Sequence, residues 1–358
     1  MQKVLTIGGA TLDTIISYED METLIHQRKG SSQSYLLLEE GKKIEVVKQD
    51  IVSGGGATNT AVAFKRQGYE VALFCKIGRD LMGDLVLKEL QEYGLNTDNI
   101  SYDEEVATAT SFIVPSLKGD RAVFAYRGAN TNLLMADFPL KDIKGCHFIY
   151  ITSLSSRSAE QLPKIVEAAQ KENVPVAINP GVSQLTHGAE DLKKSLSGID
   201  TFILNEEEAQ KFMASLLGST AVDAKTGASK LDASKTSFSQ GYFNLREYFK
   251  KVLELGPKVV VVTNGGEGVY VATKEKLYFH KAPKVKVVNT LGAGDAFGSG
   301  FTGALYQGAS IPDAIRAGIL NSGSVIQYSG AKKGLLTSSE IKEQQSALDP
   351  SLLSELNW

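Results

Sequence analysis

Short apolar runs alternate along this chain with longer segments whose apolar positions recur every three or four residues. The runs at 3–7, 71–75, 148–151, 176–178, 202–204 and 259–263 are the size of buried strands. The segments at 57–67, 84–93, 159–171 and 206–217 carry the amphipathic period of helices. Such alternation predicts an α/β fold in which crossover helices cover a mainly parallel sheet. Gly68 and Gly94 follow the first two helical segments, where a left-handed residue would end each helix.

Two stretches break the alternation. Residues 35–52 and 108–127 read as extended pairs, the second turning at Lys118–Gly119–Asp120 between SFIV and AVFAY. As insertions at about 12–52 and 108–127 they predict a small β lid over the main sheet, within a single domain spanning 1–358. Residues 218–241 are rich in Ser, Ala, Lys, Thr and Gly, and read as a polar surface excursion. No repeat of 20–50 residues is visible.

Composition narrows the function classes. The 358 residues carry 38 Lys and Arg against 41 Asp and Glu, a formal net charge of −3. A protein that grips nucleic acid by its phosphates would be expected to show a basic excess. The longest apolar run is only four or five residues, near Val259–Val262, against about 20 for a bilayer span. Gly8, Gly9 and Asp13 interrupt the apolar start, so it reads as a first strand rather than a secretory signal. The two cysteines, Cys75 and Cys146, sit beside apolar runs and read as buried reduced thiols. A cytoplasmic location is the expectation. The four histidines lack metal-ligand spacing, and His147 reads as a core residue.

The strongest chemical signal is Asn289–Thr290–Leu291–Gly292–Ala293–Gly294–Asp295–Ala296–Phe297, which follows the expected strand VKVV at 285–288 and opens a helical pattern at 296–306. Glycines at a strand-to-helix turn let the backbone approach a ligand, and the first helical N–H groups are unpaired donors. That is an anion site. Asp295 beside it reads either as a helix-capping acid or as a general base that takes a proton from an acceptor hydroxyl. In the second reading the N–H groups of Gly292, Ala293 and Gly294 stabilise charge on the transferred group. A second cluster, Ser53–Gly54–Gly55–Gly56–Ala57–Thr58–Asn59–Thr60, opens the helix at 57–67. It is either a plain loop or a close-approach site, with Asn59 as its polar contact.

Together these two segments resemble the signature regions of the ribokinase (PfkB) family of carbohydrate kinases. The opening strand with Gly9 and Asp13, the N-x-x-E element Asn205–Glu206–Glu207–Glu208 and the T-x-G-x-x-G turn Thr263–Asn264–Gly265–Gly266–Glu267–Gly268 follow in the family's order. The resemblance covers about residues 4–334. It implies a ribokinase-like three-layer sandwich with a β lid, and transfer of the ATP γ-phosphoryl group to a sugar-type hydroxyl. By position, Asp295 would be the base and Gly292, Ala293 and Gly294 the anion hole. Asp13, Gly54, Gly55 and Asn59 would bind the acceptor. Asn205, Thr263, Gly265 and Gly268 would bind the nucleotide, with Asn321 near the adenine. Glu208 and Asn205 would organise Mg²⁺ through water.

Each minor element has a plainer structural reading. Asn205–Glu208 suits a helix start, Thr263–Gly268 a β-turn, and Asp13 a turn cap. Arg127, following the second lid strand, is either a surface arginine or a partner for an acceptor carboxylate or phosphate. Two positions depart from the family. Asn289 stands where an acidic residue helps to hold a monovalent cation, which weakens the expectation of K⁺. Gly56 stands where ribose-specific members tend to carry lysine, which argues against strict ribose specificity.

The chain lacks the G-x-x-x-x-G-K-[ST] of P-loop kinases, and GAGDAF lacks the third glycine of a dinucleotide fingerprint. A nucleoside kinase and a non-catalytic sugar- or nucleotide-binding protein remain the alternatives. The lid's open edge predicts a homodimer.

Overall fold

A computed structural model of the chain describes residues 2–18, 22–28, 31–115, 121–138, 140–217, 243–356 and 358. Among the described residues nine strands form the main sheet, in the order Leu353–Leu356, Leu277–His280, Val269–Ala272, Val259–Thr263, Thr201–Asn205, Val176–Ile178, Phe148–Ile151, Lys3–Ile7 and Glu70–Phe74. The six strands from Val259–Thr263 to Glu70–Phe74 run parallel. The other three are antiparallel additions at one edge.

Side-chain alternation explains why the sheet is covered on both faces. Leu5, Ile7, Ile149, Ile151, Phe202, Leu204, Val260 and Val262 point into one apolar cluster, packed under the helices Leu162–Lys171, Glu206–Leu216 and Leu245–Glu254. Val4, Phe148, Tyr150, Ile203, Val259 and Val261 point into the other, under Gly56–Arg66, Ala293–Tyr306 and Ile311–Val325. Strands apolar on both faces are what a buried parallel sheet requires. The predicted three-layer α/β architecture is present.

The separate small sheet has the order Arg121–Tyr126, Thr110–Pro115, Thr11–Ser17, Lys48–Gly54. Both predicted insertions contribute to it. One expected pairing is corrected: residues 35–52 do not form a hairpin. Lys48–Gly54 pairs with Thr11–Ser17, and Ser31–Leu37 pairs instead with Glu22–Arg28. The exposed run at 38–47, which carries Glu39, Glu40, Lys42 and Lys43 alongside exposed Leu38, Ile44, Val46 and Val47, separates them. The hairpin Thr110–Pro115 with Arg121–Tyr126 forms as predicted. Its turn at 118–120 and the excursion at 218–241 lie outside the described residues.

Three further expectations change. The run 285–288 is not a strand; Val287 and Val288 are exposed, and the N–H groups of Val288 and Asn289 both donate to the Ile326 carbonyl. The helix after it begins at Ala293, three residues earlier than the apolar period suggests, because Gly292 caps it in the left-handed conformation. His147 is exposed, with Nε2 2.7 Å from the Tyr306 carbonyl oxygen. The buried histidine is His280. Gly68 and Gly94 do take positive φ after their helices. Both cysteines are free and buried, and burial pushes the thiols up, to about 12 for Cys75 and about 11 for Cys146. No helix among the described residues is long and apolar enough to cross a membrane.

Candidate active site

Three chain segments converge at the carboxyl edge of the parallel strands. The first strand leaves the sheet through Gly8–Gly9–Ala10 and enters the lid at Thr11, which puts Asp13 on the lid strand. Asn130 holds this crossing: its amide accepts from the Ala10 N–H at 2.9 Å and donates to the Ala10 carbonyl at 3.0 Å. Asp13 is 5% exposed and accepts from the Thr11 hydroxyl at 3.0 Å.

The glycine cluster packs directly on that carboxylate. Thr11 and Gly54 are register partners in the lid sheet. A Cβ on Gly54 would sit 1.9 Å from Asp13 Oδ2, and one on Gly55, at φ 93, would sit 2.4 Å from the Gly9 carbonyl oxygen. These glycines are therefore required by close packing around Asp13. Gly56 meets Thr152 in the same way, with a Cβ position 2.6 Å from its side chain, so no lysine fits there without a shift.

The third segment is the GAGD turn. Gly292 has φ 76, and a Cβ there would lie 2.4 Å from that of Ala331. Of the three predicted anion-hole donors, the Ala293 N–H turns back towards the Thr290 carbonyl at 3.3 Å. Those of Gly292 and Gly294, and that of Asp295 itself, donate to no backbone carbonyl among the described residues. Gly294 is exposed, with nothing within 4 Å of its Cβ position. The tip is open to a ligand. Asn289 Oδ1 accepts from the Leu291 N–H at 2.8 Å, so its side chain shapes this turn.

Asn59 and Asp295 meet although 236 residues separate them. The Asn59 amide donates to Asp295 Oδ2 at 2.8 Å. Asn59 is 5% exposed, and its own Oδ1 is buried without a partner. An unpaired buried acceptor is costly in a protein interior. Beside Asp295 it is an obvious seat for a hydroxyl proton. Burial raises the Asp295 pKa above the ordinary 3.8; Asn59 and the Lys332 charge oppose that rise, and the Asp13 charge adds to it. Burial likewise raises Asp13, against the hydroxyls of Thr11 and Ser111 and the Lys332 charge.

Two contributors escaped sequence reasoning. Lys332, in the loop after Ile311–Val325, is 4% exposed and donates to the carbonyl and hydroxyl oxygens of Ser53 at 2.5 and 2.9 Å. Arg121, on the lid strand, donates to Thr290 Oγ1 at 2.5 Å, so the lid touches the GAGD turn. Neither sits in a motif; both are brought in by strand pairing and loop packing.

The predicted nucleotide residues form a second group. Asn205 and Thr263 are register partners at the ends of adjacent parallel strands. Gly265 follows with φ 49, and nothing lies within 4 Å of the Cβ positions of Gly265 or Gly266. Gly268, at φ 128, would drive a Cβ to 2.1 Å from the His280 carbonyl oxygen. Asn205 and Glu208 cap their helix reciprocally, each side chain accepting from the other's N–H at 2.9 Å. One Glu208 oxygen remains, and burial raises its pKa. No cluster of three acidic, histidine or cysteine side chains that could hold a metal exists among the described residues. A lone carboxylate fits Mg²⁺ held through water and phosphate oxygens, and does not fit a protein cage.

Asn321 is a correction. It is fully buried, and its amide donates to the Ala296 carbonyl and accepts from the Leu336 N–H. The donor end braces the GAGD helix and the acceptor end holds the loop at Leu336, so both ends of the amide are engaged within the protein. Arg127 is exposed at the end of the lid hairpin.

Comparison with known proteins gives a consistent picture. The pfkB family carbohydrate kinase pattern matches residues 27–338. A ribokinase of Staphylococcus aureus is 25% identical over 346 residues, covering 95% of this chain and 99% of the relative. An ATP-dependent 6-phosphofructokinase of Thermoanaerobacterium thermosaccharolyticum is 26% identical over 289 residues, covering 78% and 80%. Among solved structures, the Methanocaldococcus jannaschii nucleoside kinase superposes with a TM-score of 0.72 at 20% identity, covering 97% of this chain and 99% of that one.

Proposed function

The chain belongs to the pfkB family of carbohydrate kinases, and we propose that it transfers the γ-phosphoryl group of ATP to a hydroxyl of a small sugar or sugar-like molecule, with Asp295 as general base. One observation carries this reading: a carboxylate stands in the first turn of a helix whose tip is open, bonded to an asparagine that keeps a buried, unpaired acceptor.

A neutral hydroxyl is a weak nucleophile. The ionised Asp295 takes its proton as its oxygen bonds to the γ-phosphorus and the bond to ADP breaks. The N–H groups of Gly292 and Gly294 donate to the equatorial phosphoryl oxygens, where negative charge gathers. Asp13 and Asn59 hold the remaining acceptor hydroxyls, with Gly54 and Gly55 keeping that carboxylate in place. Arg127 is available to an acidic acceptor group. Thr263, Gly265, Gly268 and Asn205 line the nucleotide side. Glu208 and Asn205 would hold Mg²⁺ through water, and the ion, when bound, neutralises phosphate charge. Asn289, tied into its own turn, speaks against a K⁺ requirement.

The test is Asp295→Asn with a panel of pentoses, hexoses, keto-deoxy acids and nucleosides. Turnover should fall by roughly 10²- to 10⁴-fold while ATP binding persists. Near-native turnover would remove Asp295 from the role. A binding protein without catalysis would show no turnover in the parent chain either.

We also infer that the lid associates with a second copy. Ile51, Phe112, Val123, Phe124 and Tyr126 are exposed on its strands, and apolar sheet surface of this kind favours association. Sedimentation as a monomer at working concentration would overturn this.

A further inference from the structure

Lys332 is a buried cation that the proposed reaction leaves without a part. Its ammonium carries three N–H donors, and two are taken by Ser53. No carboxylate among the described residues closes an ion pair with it, yet the charges of Glu89, Asp13 and Asp295 all act on it. These come from three elements: the helix Leu81–Glu92, the lid strand Thr11–Ser17 and the helix Ala293–Tyr306. Glu89 also accepts from the Ser53 N–H at 2.5 Å, so Ser53 is gripped from both sides by opposite charges. The neighbouring Ala331 is the residue on which Gly292 packs. One short loop thus backs the anion hole with one residue and fastens the acceptor-binding strand with the next.

We propose that Lys332 is a positioning residue of the acceptor site: it ties the Ser53 strand end to the loop behind Gly292 and supplies the buried positive charge that Asp13 and Asp295 share. This rests on the kinase reading above. Two carboxylates that repel one another would otherwise hold protons at higher pH, and a protonated Asp295 cannot accept one from the acceptor. Burial lowers Lys332 itself to about 8, the three carboxylates opposing that fall. Below that pH the ammonium is charged and holds both carboxyl pKa values down, so Asp295 stays ionised further into the acid range. Above it the shared charge is lost and the carboxylates lose their counter-ion. Tyr150, which also faces Asp295, is held neutral by burial. Charge is scarce inside proteins unless something requires it.

Lys332→Met removes the charge; Lys332→Gln removes the charge but keeps a donor for Ser53, and its melting temperature reports whether the fold survives. The carboxyl titrations of Asp13 and Asp295, followed by side-chain ¹³C shifts and assigned with Asp13→Asn and Asp295→Asn, should move up by about one pH unit in both variants, a tenfold change in proton affinity. The acid limb of kcat/KM for the acceptor should move with them. The alkaline side of the profile should stay in place, because Asp295 is ionised there with or without the ammonium, and the KM for ATP should stay unchanged. Carboxyl titrations that stay in place in a folded variant would overturn the proposal. So would equal losses for acceptor and ATP with unmoved pH limbs, the mark of a merely structural lysine. Absence of turnover in the wild type would sink the kinase reading instead, and the ¹³C titration would still decide the role of Lys332.

Discussion

Around Asp295 the side chains close on one another, whereas around Thr263 the backbone stands open. Asp13, Asn59 and Lys332 are each 5% exposed or less, and the bonds from Asn59 to Asp295 and from Lys332 to Ser53 join residues more than 200 positions apart. On the other side Asn205, Gly265 and Gly266 are exposed, and the two glycines have empty space where a side chain would begin. The difference suits two ligands of different character. A small polyol offers only hydroxyls, so recognising it needs buried, oriented polar groups whose mispairing is costly. A nucleotide brings its own charge and length, and a backbone edge with an open glycine turn is enough to seat it.

The sharpest break in this comparison is one methyl group placed on each side. Gly54→Ala puts a carbon 1.9 Å from the Asp13 carboxylate, which must swing away. Displacement of a positioning group by about 1 Å costs on the order of 10²-fold, so kcat/KM for the acceptor should fall by that amount while the KM for ATP holds. Matching losses for both ligands would show that the two halves are not independent.

Gly292→Ala strikes the junction between them. Its left-handed φ of 76 costs an alanine roughly 1–2 kcal/mol, and the 2.4 Å approach to Ala331 adds to that. Turnover should drop with both ligands, and the melting temperature should fall by several degrees. An unchanged melting temperature would mean that the loop at 331–332 yields freely.

Charge gives a third probe. Burial raises Asp295 above the ordinary aspartate value, so lowering the pH returns its proton sooner than in a free aspartate, and activity should fall early on the acid side. Stability runs the other way. A carboxyl whose folded pKa lies above its unfolded value favours the fold while protonated, and that contribution is lost as pH rises through the folded value. Between 3.8 and the raised value, acid should therefore lower turnover and raise this carboxyl's contribution to stability. Asp295→Asn should abolish both trends. Glu208→Gln makes the matching test on the nucleotide side. The capping exchange with Asn205 survives because glutamine also caps, so the fold should hold while the Mg²⁺ needed for half-maximal rate rises roughly tenfold.

How much of this was legible in the chain follows the same division. The parallel strands were readable because buried strands are continuous apolar runs, and Asp295 because glycines before a helix mark an anion site. The nucleotide elements are local, each within six residues, and local motifs survive reading in one dimension. On the proposed acceptor side the sequence pointed to Asp13, Asn59, Arg127 and the glycines. Lys332 lies in an Ala-Lys-Lys-Gly loop that resembles any surface turn, and only packing distinguishes the buried lysine from exposed Lys333. Asn321 misled for a different reason: its place in the family's order suggested the adenine, yet tertiary contacts satisfied both ends of its amide. The run at 285–288 has strand composition but finds no partner strand among the described residues. The N–H groups of Val288 and the following Asn289 go to a helix-end carbonyl.

The smallest expected effect sharpens the comparison most. Gly266→Ala adds the same methyl as Gly54→Ala, in the same family of glycine-rich turns, but nothing lies within 4 Å of its Cβ position and its φ is not in the left-handed range. Stability should change by less than about 0.5 kcal/mol, as for most exposed substitutions, and the acceptor KM should not move. The KM for ATP should shift by no more than a few-fold if the turn offers its backbone to the nucleotide from the Gly265 side, where φ is 49. A large rise in the ATP KM would mean that the nucleotide packs against Gly266 itself, and that this half is as closely fitted as the acceptor half once its ligand is in place.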